Sequence, residues 1–456
     1  MNIVILGASQ VGSTIAQQLV NEQNDITVVD LDAARLKNLQ EHLDIRTIQG
    51  HAAYPETLDQ AGGRNIDMLI AVTHTDEVNI VACTVAYNLF GVATKIARVR
   101  SSGYLAHQEL FNSKQFPIDQ LITPGKSVTE HIKAVIDYPN SLQVIDFALG
   151  KIKLVAIQAA QEGALIGQPL SAFRKHLPDV DVRVTAIYRN KQMIIPRGIT
   201  VIQQDDKVFF VTAERHVSAM VNEIRPFYKE YQRIIIAGGG NIGQSLAALL
   251  ENQYRVKIIE PHGAKCREMS SVLTKSVILK GNATDRNLLI EEDIQHTDVF
   301  CSLTNSDETN LMSALLAKQL GVNKTIALIN NPTYLELIEK NHLNIDIVIS
   351  PQEITISSLL SYIRRGNIVK AHSLLGGIAE VIETIVQGDP ATSKIIGKAI
   401  EDISLPKSVM ISAIARGNDM LMAHDNIVIE ANDHLILFLT DKHVVHEVED
   451  LFRNSE

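Results

Sequence analysis

Two glycine-rich turns are the residues in this sequence best suited to bind a phosphate. The second turn is complete: Gly238, Gly240 and Gly243 form G-x-G-x-x-G, and Glu260 ends the next apolar run. In a dinucleotide-binding fold, the first glycine allows a tight turn, the second lets a pyrophosphate approach, and the third lets helix pack on strand. The acid accepts hydrogen bonds from ribose hydroxyls and repels a 2′-phosphate. This pattern therefore favours NAD and adenine nucleotides over NADP.

The first turn has the same frame with one departure. Gly7 and Gly12 keep their places, Asp30 supplies the acid, and Ser9 replaces the middle glycine. Its side chain either crowds a phosphate or donates its hydroxyl to it. The alternative for both turns is that the glycines serve only to form the tight turn of a parallel-sheet fold and that no ligand binds there. The predicted nucleotide-binding residues are Gly7, Ala8, Ser9, Gln10, Val11, Gly12 and Asp30 in the first turn, and Gly238, Gly239, Gly240, Asn241, Ile242, Gly243 and Glu260 in the second.

Polar residues also follow later apolar runs. Thr73 and His74, and likewise Thr304 and Asn305, each precede an Asp-Glu-x-Asn element. Because open α/β sheets bind ligands at the carboxyl ends of their strands, we expect these four residues near the nucleotide. The acids of the element are expected to cap the following helix.

Arg98 ends the run KIARV, where it can reach a phosphate from the same sheet edge; the alternative is a solvated surface arginine. Leu328 stands at the corresponding place in the second half, so only the first half has this cation.

The elements that position these residues occur twice. Gly7 matches Gly238 and Thr73 matches Thr304, both at an offset of 231 positions. The chain is thus two tandem copies of a unit of about 225 residues. In each copy, short apolar runs alternate with helical patterns, and strand-like alternation follows. This predicts an α/β fold: two copies of a Rossmann-like, doubly wound parallel-sheet domain (1–124 and 231–351), each followed by a small α+β domain (143–227 and 369–453).

Composition excludes several functions. The formal charge is −10, with 42 basic and 52 acidic residues, so the sequence lacks the excess of basic residues that is typical of nucleic-acid-binding proteins. No apolar run approaches the ~20 residues of a membrane-spanning helix, and no signal peptide is recognisable, so we expect a cytoplasmic protein. The sequence contains no Y-x-x-x-K, G-x-S-x-G or C-x-x-C motif. We therefore expect binding without catalysis and no metal site; the alternative is an NAD-dependent dehydrogenase with a duplicated cofactor domain.

The motifs ILGASQVG and IAGGGNIG, the acids Asp30 and Glu260, and the elements AVTHTDEVN and LTNSDETN together resemble a known family. It is the family of RCK domains (KTN plus RCK-C) of bacterial potassium-transport regulators, in the tandem form found in the peripheral component of Trk potassium-uptake systems. The resemblance covers essentially the whole chain. It implies a regulatory subunit that binds NAD(H), with ATP or ADP as further ligands. It also implies a homo-oligomer, either a dimer or a ring tetramer. This assembly would lie at the inner face of the cell membrane and gate a potassium-translocating integral membrane subunit.

Overall fold

The structure is a computed structural model that describes residues 1–20, 24–111, 115–226, 230–341, 343–363, 367–390, 392–423, 426–441 and 444–452. The chain divides into two compact units. The first comprises Met1–Ser127 with Gln352–Leu359, and the second comprises Val128–Pro351 with Leu360–Glu456.

The first copy opens with a six-stranded parallel sheet in the order β3-β2-β1-β4-β5-β6. Its strands are β1 (Asn2–Leu6), β2 (Asp25–Asp30), β3 (Arg46–Gln49), β4 (Met68–Ala71), β5 (Thr94–Arg98) and β6 (Gln120–Ile122). The helices are α1 (Gln10–Val20), α2 (Ala33–His42), α3 (Pro55–Ala61), α4 (Asp76–Val85), α5 (Ser102–Leu105) and α6 (Pro124–Asp137), with short turns of helix at Gly63–Asn65, Ala86–Phe90 and Gln108–Leu110.

The apolar pattern explains how these strands and helices pack. Strand β4 is buried at every position because helices cover both faces of the sheet. Helix α1 buries Gly12, Ile15, Ala16 and Leu19, and this spacing places them on one face of the helix. The strand order reverses between β1 and β4, which leaves a crevice at their carboxyl ends.

A five-stranded antiparallel sheet follows, in the order β10-β9-β11-β8-β7. Its elements are β7 (Ser141–Phe147), β8 (Ile152–Gln158), β9 (Val182–Arg189), β10 (Gln192–Ile194), β11 (Lys207–Ala213), α7 (Phe173–His176) and α8 (Val217–Ile224), with 3-10 turns at Ala148–Gly150, Leu170–Ala172 and Glu214–His216.

The second copy repeats the parallel sheet in the order β14-β13-β12-β15-β16-β17. Its strands are β12 (Arg233–Ala237), β13 (Arg255–Glu260), β14 (Val277–Lys280), β15 (Val299–Ser302), β16 (Lys324–Leu328) and β17 (Ile347–Ile349). The helices are α9 (Asn241–Leu250), α10 (Gly263–Val272), α11 (Arg286–Glu291), α12 (Asp307–Gln319), α13 (Pro332–Lys340) and α14 (Pro351–Ile363), with a 3-10 turn at Ile294–His296.

The last domain is again an antiparallel sheet, in the order β18-β19-β22-β20-β21. Its elements are β18 (Ile368–Leu374), β19 (Ala379–Ile385), β20 (Val409–Arg416), β21 (Asp419–Met422), β22 (His434–Leu439) and α15 (Val445–Phe452), with 3-10 turns at Leu375–Gly377 and Ile400–Asp402.

The two antiparallel sheets share one hydrophobic core. Phe147 and Phe209 of the first pack in the same buried cluster as Leu374 and Phe438 of the second, and the rings of Phe209 and Phe438 are 5.7 Å apart. The amide of Ala148 donates to the buried carboxylate of Glu383 at 3.1 Å. The two small domains of one chain therefore pair with each other.

The predicted fold class is confirmed: two parallel-sheet domains alternate with two small antiparallel-sheet domains. The exact domain bounds stay predictions, and residues 227 and 453, where two of them end, lie outside the described residues. Among the residues that the structure describes, no helix is long and apolar enough to cross a lipid bilayer.

Lys324, at the start of β16, is buried with 5% of its surface exposed. Its ammonium group donates to the main-chain oxygen of Ser141 at 2.6 Å, so it joins the second parallel-sheet domain to the first small domain. Burial lowers the pKa of Lys324 to about 7, against the partly opposing attraction of Asp346. The folded protein thus favours a neutral lysine where the unfolded chain keeps a charged one.

We expect the stabilisation that Lys324 contributes to depend on pH. Above about pH 7 the folded state releases a proton that the unfolded lysine retains until its ordinary, higher pKa, so stability rises with pH in this window. The free energy of unfolding of the wild type minus that of Lys324→Met is therefore expected to rise between pH 7 and pH 9, by roughly 1 kcal/mol per pH unit. Chemical denaturation at pH 7, 8 and 9 measures it, with the exposed Lys340→Met as control. A difference that stays flat would mean that folded Lys324 is charged throughout.

Candidate functional site

The first and third glycines of each turn are required by the backbone itself. Gly7 and Gly238 have φ of +110° and +109°. A Cβ at Gly12 would lie 1.8 Å from the Gly7 oxygen, and one at Gly243 would lie 2.0 Å from the Gly238 oxygen. These four glycines are therefore explained by the fold alone, as the structural alternative anticipated.

The middle position is different. A Cβ at Gly240 would meet no protein atom within 4 Å, and the backbone there is extended. The protein itself thus accepts a side chain at this place, and the first copy has Ser9. The Ser9 hydroxyl oxygen is buried and has no hydrogen-bond partner within the described chain.

The acid at the end of the second strand holds the turn in both copies. The Ala8 amide donates to Asp30 at 2.5 Å, and the Gly239 amide donates to Glu260 at 2.9 Å. Glu260 also accepts from the His262 amide at 3.0 Å and from the His262 ring at 2.7 Å. Burial raises the pKa of the Glu260 carboxyl, but these hydrogen bonds outweigh it, and the pKa lies below its usual value. Glu260 therefore stays ionised at neutral pH.

Four of the predicted residues form the N-termini of the helices that follow the glycine turns. Gln10 and Val11 begin α1, and Asn241 and Ile242 begin α9. Because the first amides of a helix lack intrahelical partners, this end of each helix favours an anion.

The asparagine of each Asp-Glu-x-Asn element ties two strand ends together. Asn79 accepts from the Thr73 amide at 2.9 Å and hydroxyl at 2.7 Å, and it donates to the Arg98 oxygen at 2.8 Å. Asn310 makes the same three bonds with Thr304 and Leu328, at 2.8, 2.7 and 2.8 Å. Both asparagines are completely buried. The two threonines are thus fixed beside the turns, while His74 and Asn305 are exposed just beyond them.

The expectation that the aspartates cap the helix is wrong. The N-caps of α4 and α12 are Thr75 and Ser306. Asp76 instead accepts from the amides of Arg100 and Ser101, at 2.9 and 2.8 Å. Asp307 likewise accepts from the amides of Asn330 and Asn331, at 3.0 and 2.7 Å. Each aspartate therefore fixes the loop that leaves the neighbouring strand, because it lies inside the first helical turn and points sideways along the sheet edge.

Arg98 is buried, with 8% of its surface exposed, so it is not a solvated surface arginine. One terminal nitrogen donates to the Thr73 oxygen at 2.6 Å, while Nε is buried without a partner in the described chain. Burial and the neighbouring Arg100 lower its pKa to about 10, so it remains charged at neutral pH. Leu328 is buried at the equivalent position and brings no charge. The structure thus brings Gly7, Thr73 and Arg98 together at one sheet edge.

Two contributors were not identified from sequence. Arg100 donates to the His74 oxygen and so fixes the loop after β4. His262, whose side chain is 73% exposed, bonds the ring nitrogen Nδ1 to Glu260. The sequence signal for both was their position, two residues beyond a strand that ends in a predicted site residue. Among the described residues, no group of acids, histidines and cysteines is arranged to hold a metal ion.

A cleft of about 710 Å³ lies at the opposite, amino edge of the first sheet, with Asn2 and Asn65 in its lining. The Asn2 side chain donates to the Asn65 oxygen at 3.0 Å, so these lining groups satisfy one another. The cleft is separate from the glycine turn and is not part of the candidate site.

Two family models match the chain in alternation. The TrkA-N domain matches residues 3–124 and 234–351, and the TrkA-C domain matches residues 154–225 and 389–453.

Curated relatives match over the full length. The Trk system potassium uptake protein TrkA of Halomonas elongata is 51% identical over 99% of both chains. The protein of the same name from Vibrio alginolyticus is 48% identical over 100% of this chain and 99% of its own. The homolog from Archaeoglobus fulgidus is 31% identical over 99% of this chain and 100% of its own.

Solved structures share the fold at low identity. The crystal structure of the GsuK RCK domain is 17% identical with a TM-score of 0.62, and the alignment covers 99% of this chain and 94% of that one. A structure described as the GsuK channel bound to NAD gives the same identity and TM-score over 99% of this chain and 78% of its own. This likeness establishes the fold.

We expect the buried asparagine, rather than the exposed residue beside it, to hold the site together. Asn310→Ala leaves the Thr304 amide and the Leu328 oxygen without their partner, which is expected to cost about 1–3 kcal/mol of stability. Thermal unfolding of the full chain measures the loss as a lower melting temperature. Asn305→Ala is the matched control, since Asn305 is exposed, and is expected to unfold like the wild type. Equal melting temperatures for the two variants would contradict this role.

Proposed function

The chain belongs to the family of the Trk system potassium uptake protein TrkA, and on this basis we propose that it is a nucleotide-binding regulatory subunit of a potassium-uptake system. The observation that carries the proposal is the identity of 51% to a curated TrkA over 99% of both chains. The alternation of TrkA-N and TrkA-C matches supports the same conclusion. The alternative of a duplicated dehydrogenase is not favoured.

Each parallel-sheet domain is proposed to bind an adenine nucleotide at its glycine turn. The site comprises the turn and first helical residues, the acids Asp30 and Glu260, and the residues after the fourth strand of each sheet, namely Thr73 and His74 or Thr304 and Asn305. NAD(H) is the proposed ligand, with ATP or ADP as further ligands. The description of the GsuK channel as bound to NAD supports NAD, since that channel shares the fold.

The two sites are proposed to prefer different ligands. In the first copy, the unpaired Nε of Arg98 and the unpaired Ser9 hydroxyl offer donors to a phosphate-rich nucleotide. In the second copy, Gly240 leaves open space beside the turn and Leu328 adds no charge, which suits the close approach of a dinucleotide pyrophosphate. ATP or ADP is therefore assigned to the first site and NAD(H) to the second.

The protein is proposed to act without catalysis. The carboxylates beside the turns, Asp30, Asp76, Glu260 and Asp307, accept main-chain amides, which supports a role in holding the turns rather than in proton transfer. Ligand binding then acts by favouring one of two states of the assembly, which requires different affinities for those states.

The partner is proposed to be a potassium-translocating integral membrane subunit of a Trk-type system. The chain would be cytoplasmic and reach the inner face of the cell membrane through that subunit, as a homo-oligomer, either a dimer or a ring tetramer. The relatives' names, which place them in a Trk potassium-uptake system, support this arrangement.

The regulatory role is tested by separating binding from turnover. Calorimetry is expected to detect NADH or ADP binding to the full chain, while incubation with NADH and small carbonyl compounds leaves the NADH absorbance unchanged. Membrane vesicles containing a Trk-type transporter are expected to retain the protein and to change potassium flux when nucleotide is added. Hydride transfer at ordinary enzymatic rates (~1–1000 s⁻¹), or no retention and no effect on flux, would refute the role.

The assignment of ligands is tested by substitutions in each copy. Arg98→Ala or Asp30→Ala is expected to weaken mainly ATP or ADP binding, and Arg98→Ala by ~10-fold or more because a charge-assisted contact is lost. Glu260→Ala is expected to weaken mainly NADH binding, since it releases the Gly239 turn. Titration calorimetry gives the affinities, with Arg46→Ala, an exposed arginine at the start of β3, as control. The assignment is wrong if both acid variants weaken the same ligand equally.

A further inference from the structure

The two copies also differ at the rim beside the proposed ribose acid. We propose that the second site also accepts a dinucleotide with a phosphate on its adenine-side ribose, such as NADPH, whereas the first site excludes it. This inference rests on the proposed nucleotide binding at the glycine turns. It modifies the simplest prediction from the acid alone, which favours NAD over NADP in both copies.

The Glu260 carboxylate is turned inward. It accepts the Gly239 amide, the His262 amide and the His262 ring, and the residue is 3% exposed. The side chain that lies at the solvent edge beside it is His262, which is 73% exposed. The outer rim of this site therefore presents an imidazole in front of the acid rather than a free carboxylate.

The first copy presents a second carboxylate at the same place. Asp32 occupies the position of His262, two residues after the ribose acid, and is 46% exposed. Its oxygen accepts from the amides of Ala34 and Arg35, at 2.9 and 3.2 Å. A phosphate on the ribose would meet Asp30 and Asp32 together, and like charges at this range repel.

Cations converge on the rim of the second copy. A Cβ built on Gly263, the first residue of α10, would lie 3.6 Å from Lys280 Cε and 3.8 Å from Arg267 Nη1. Lys280 pairs with Glu260 in the sheet register, so it ends the strand next to the acid. Lys265, on the same helix, also acts on Glu260, lowering the pKa of its carboxyl. Neither Lys280 nor Arg267 forms an ion pair with an acid in the described chain.

The equivalent positions in the first copy are neutral or already paired. Gln49 stands in the register position of Lys280, and its amide donates to the Leu31 oxygen at 3.1 Å. Lys37 stands one turn into α2, as Arg267 does in α10, and pairs with Glu41 at 3.8 Å. In dinucleotide-binding folds a basic residue near the ribose acid accommodates a 2′-phosphate. In the second copy Lys280 and Arg267 have no acidic partner in the described chain, whereas in the first copy Arg35 pairs with Asp32 at 3.3 Å and Lys37 with Glu41 at 3.8 Å.

The test is titration calorimetry of the full chain with NADPH and NADH in a buffer free of phosphate. The wild type is expected to bind NADPH at one site per chain. Lys280→Gln, which reproduces the residue of the first copy, and Arg267→Gln are each expected to weaken NADPH binding by about 10-fold, while NADH affinity changes much less. Lys37→Gln, in the first copy, is the matched control and is expected to leave both affinities unchanged.

The reciprocal exchange provides a gain of function. Asp32→His combined with Gln49→Lys gives the first copy the rim of the second, and a second NADPH is expected to bind per chain, more weakly than the first because Ser9 remains in the turn that we assign to ATP or ADP. Inorganic phosphate at millimolar concentration is added in a separate titration, and it is expected to compete weakly with NADPH and not with NADH. A melting temperature close to that of the wild type confirms that each variant is folded.

Three results would overturn the inference. NADPH binding that is equal in the wild type and in both glutamine variants would show that the cations do not contact the phosphate. NADH binding without any NADPH binding would show that the second site excludes the phosphate as the first does. Binding of neither dinucleotide, by contrast, would refute the proposed nucleotide binding itself, and the inference would fall with it.

Discussion

The site depends on how closely the main chain of each glycine turn packs against the sheet. Each turn begins at a glycine with φ near +110°, Gly7 or Gly238. The carbonyl oxygen of that glycine packs against a glycine in the following helix, Gly12 or Gly243. In this arrangement the next amide donates to the acid on the neighbouring strand, Asp30 or Glu260. Because the acid is bonded to the turn, the position of the acid and that of the helix start are set by a single contact. The buried asparagines extend the same edge to the fourth and fifth strands.

Duplication has kept this frame and varied what surrounds it. The frame consists of the turn, the acid and the buried asparagine, which are held by hydrogen bonds within the protein, and both copies retain these bonds. The copies differ at Ser9 against Gly240, Arg98 against Leu328, and Asp32 against His262, and also at Gln49 against Lys280. In the first copy, two of these groups keep unpaired polar atoms in buried positions, at Ser9 and Arg98. Unpaired buried polar atoms are costly, and such atoms beside a binding turn are the expected mark of a group that a ligand completes.

Much of this was predictable from sequence, and the part that was not has a physical cause. The parallel sheets and the turns follow from apolar runs and glycine spacing, because these express local backbone requirements. The roles of Asp76 and Asp307 were not predictable, since the same residues in the first helical turn suit a cap and a bond to a neighbouring loop equally well, and only the strand order decides between them. The burial of Arg98 could not be predicted for the same reason. Whether the last residue of a strand is buried depends on the loop that follows a neighbouring strand. The pairing of the two small sheets could not be predicted from the sequence either. Alternating apolar residues indicate that one face of a sheet is buried but not which element covers it.

That pairing changes how mutation acts on the protein. Two identical chains joined through such sheets would form a symmetric interface. Every substitution would then be present on both sides of the interface, and association would depend on protein concentration. Here both partners are segments of one polypeptide, so the contact is intramolecular and does not dissociate on dilution. Each side can also change alone. Glu383, which receives the Ala148 amide, occupies the register position that Ala156 holds in the other sheet. Because the two halves are covalently joined, they need not keep identical sequences, and each half can acquire a separate role within one chain.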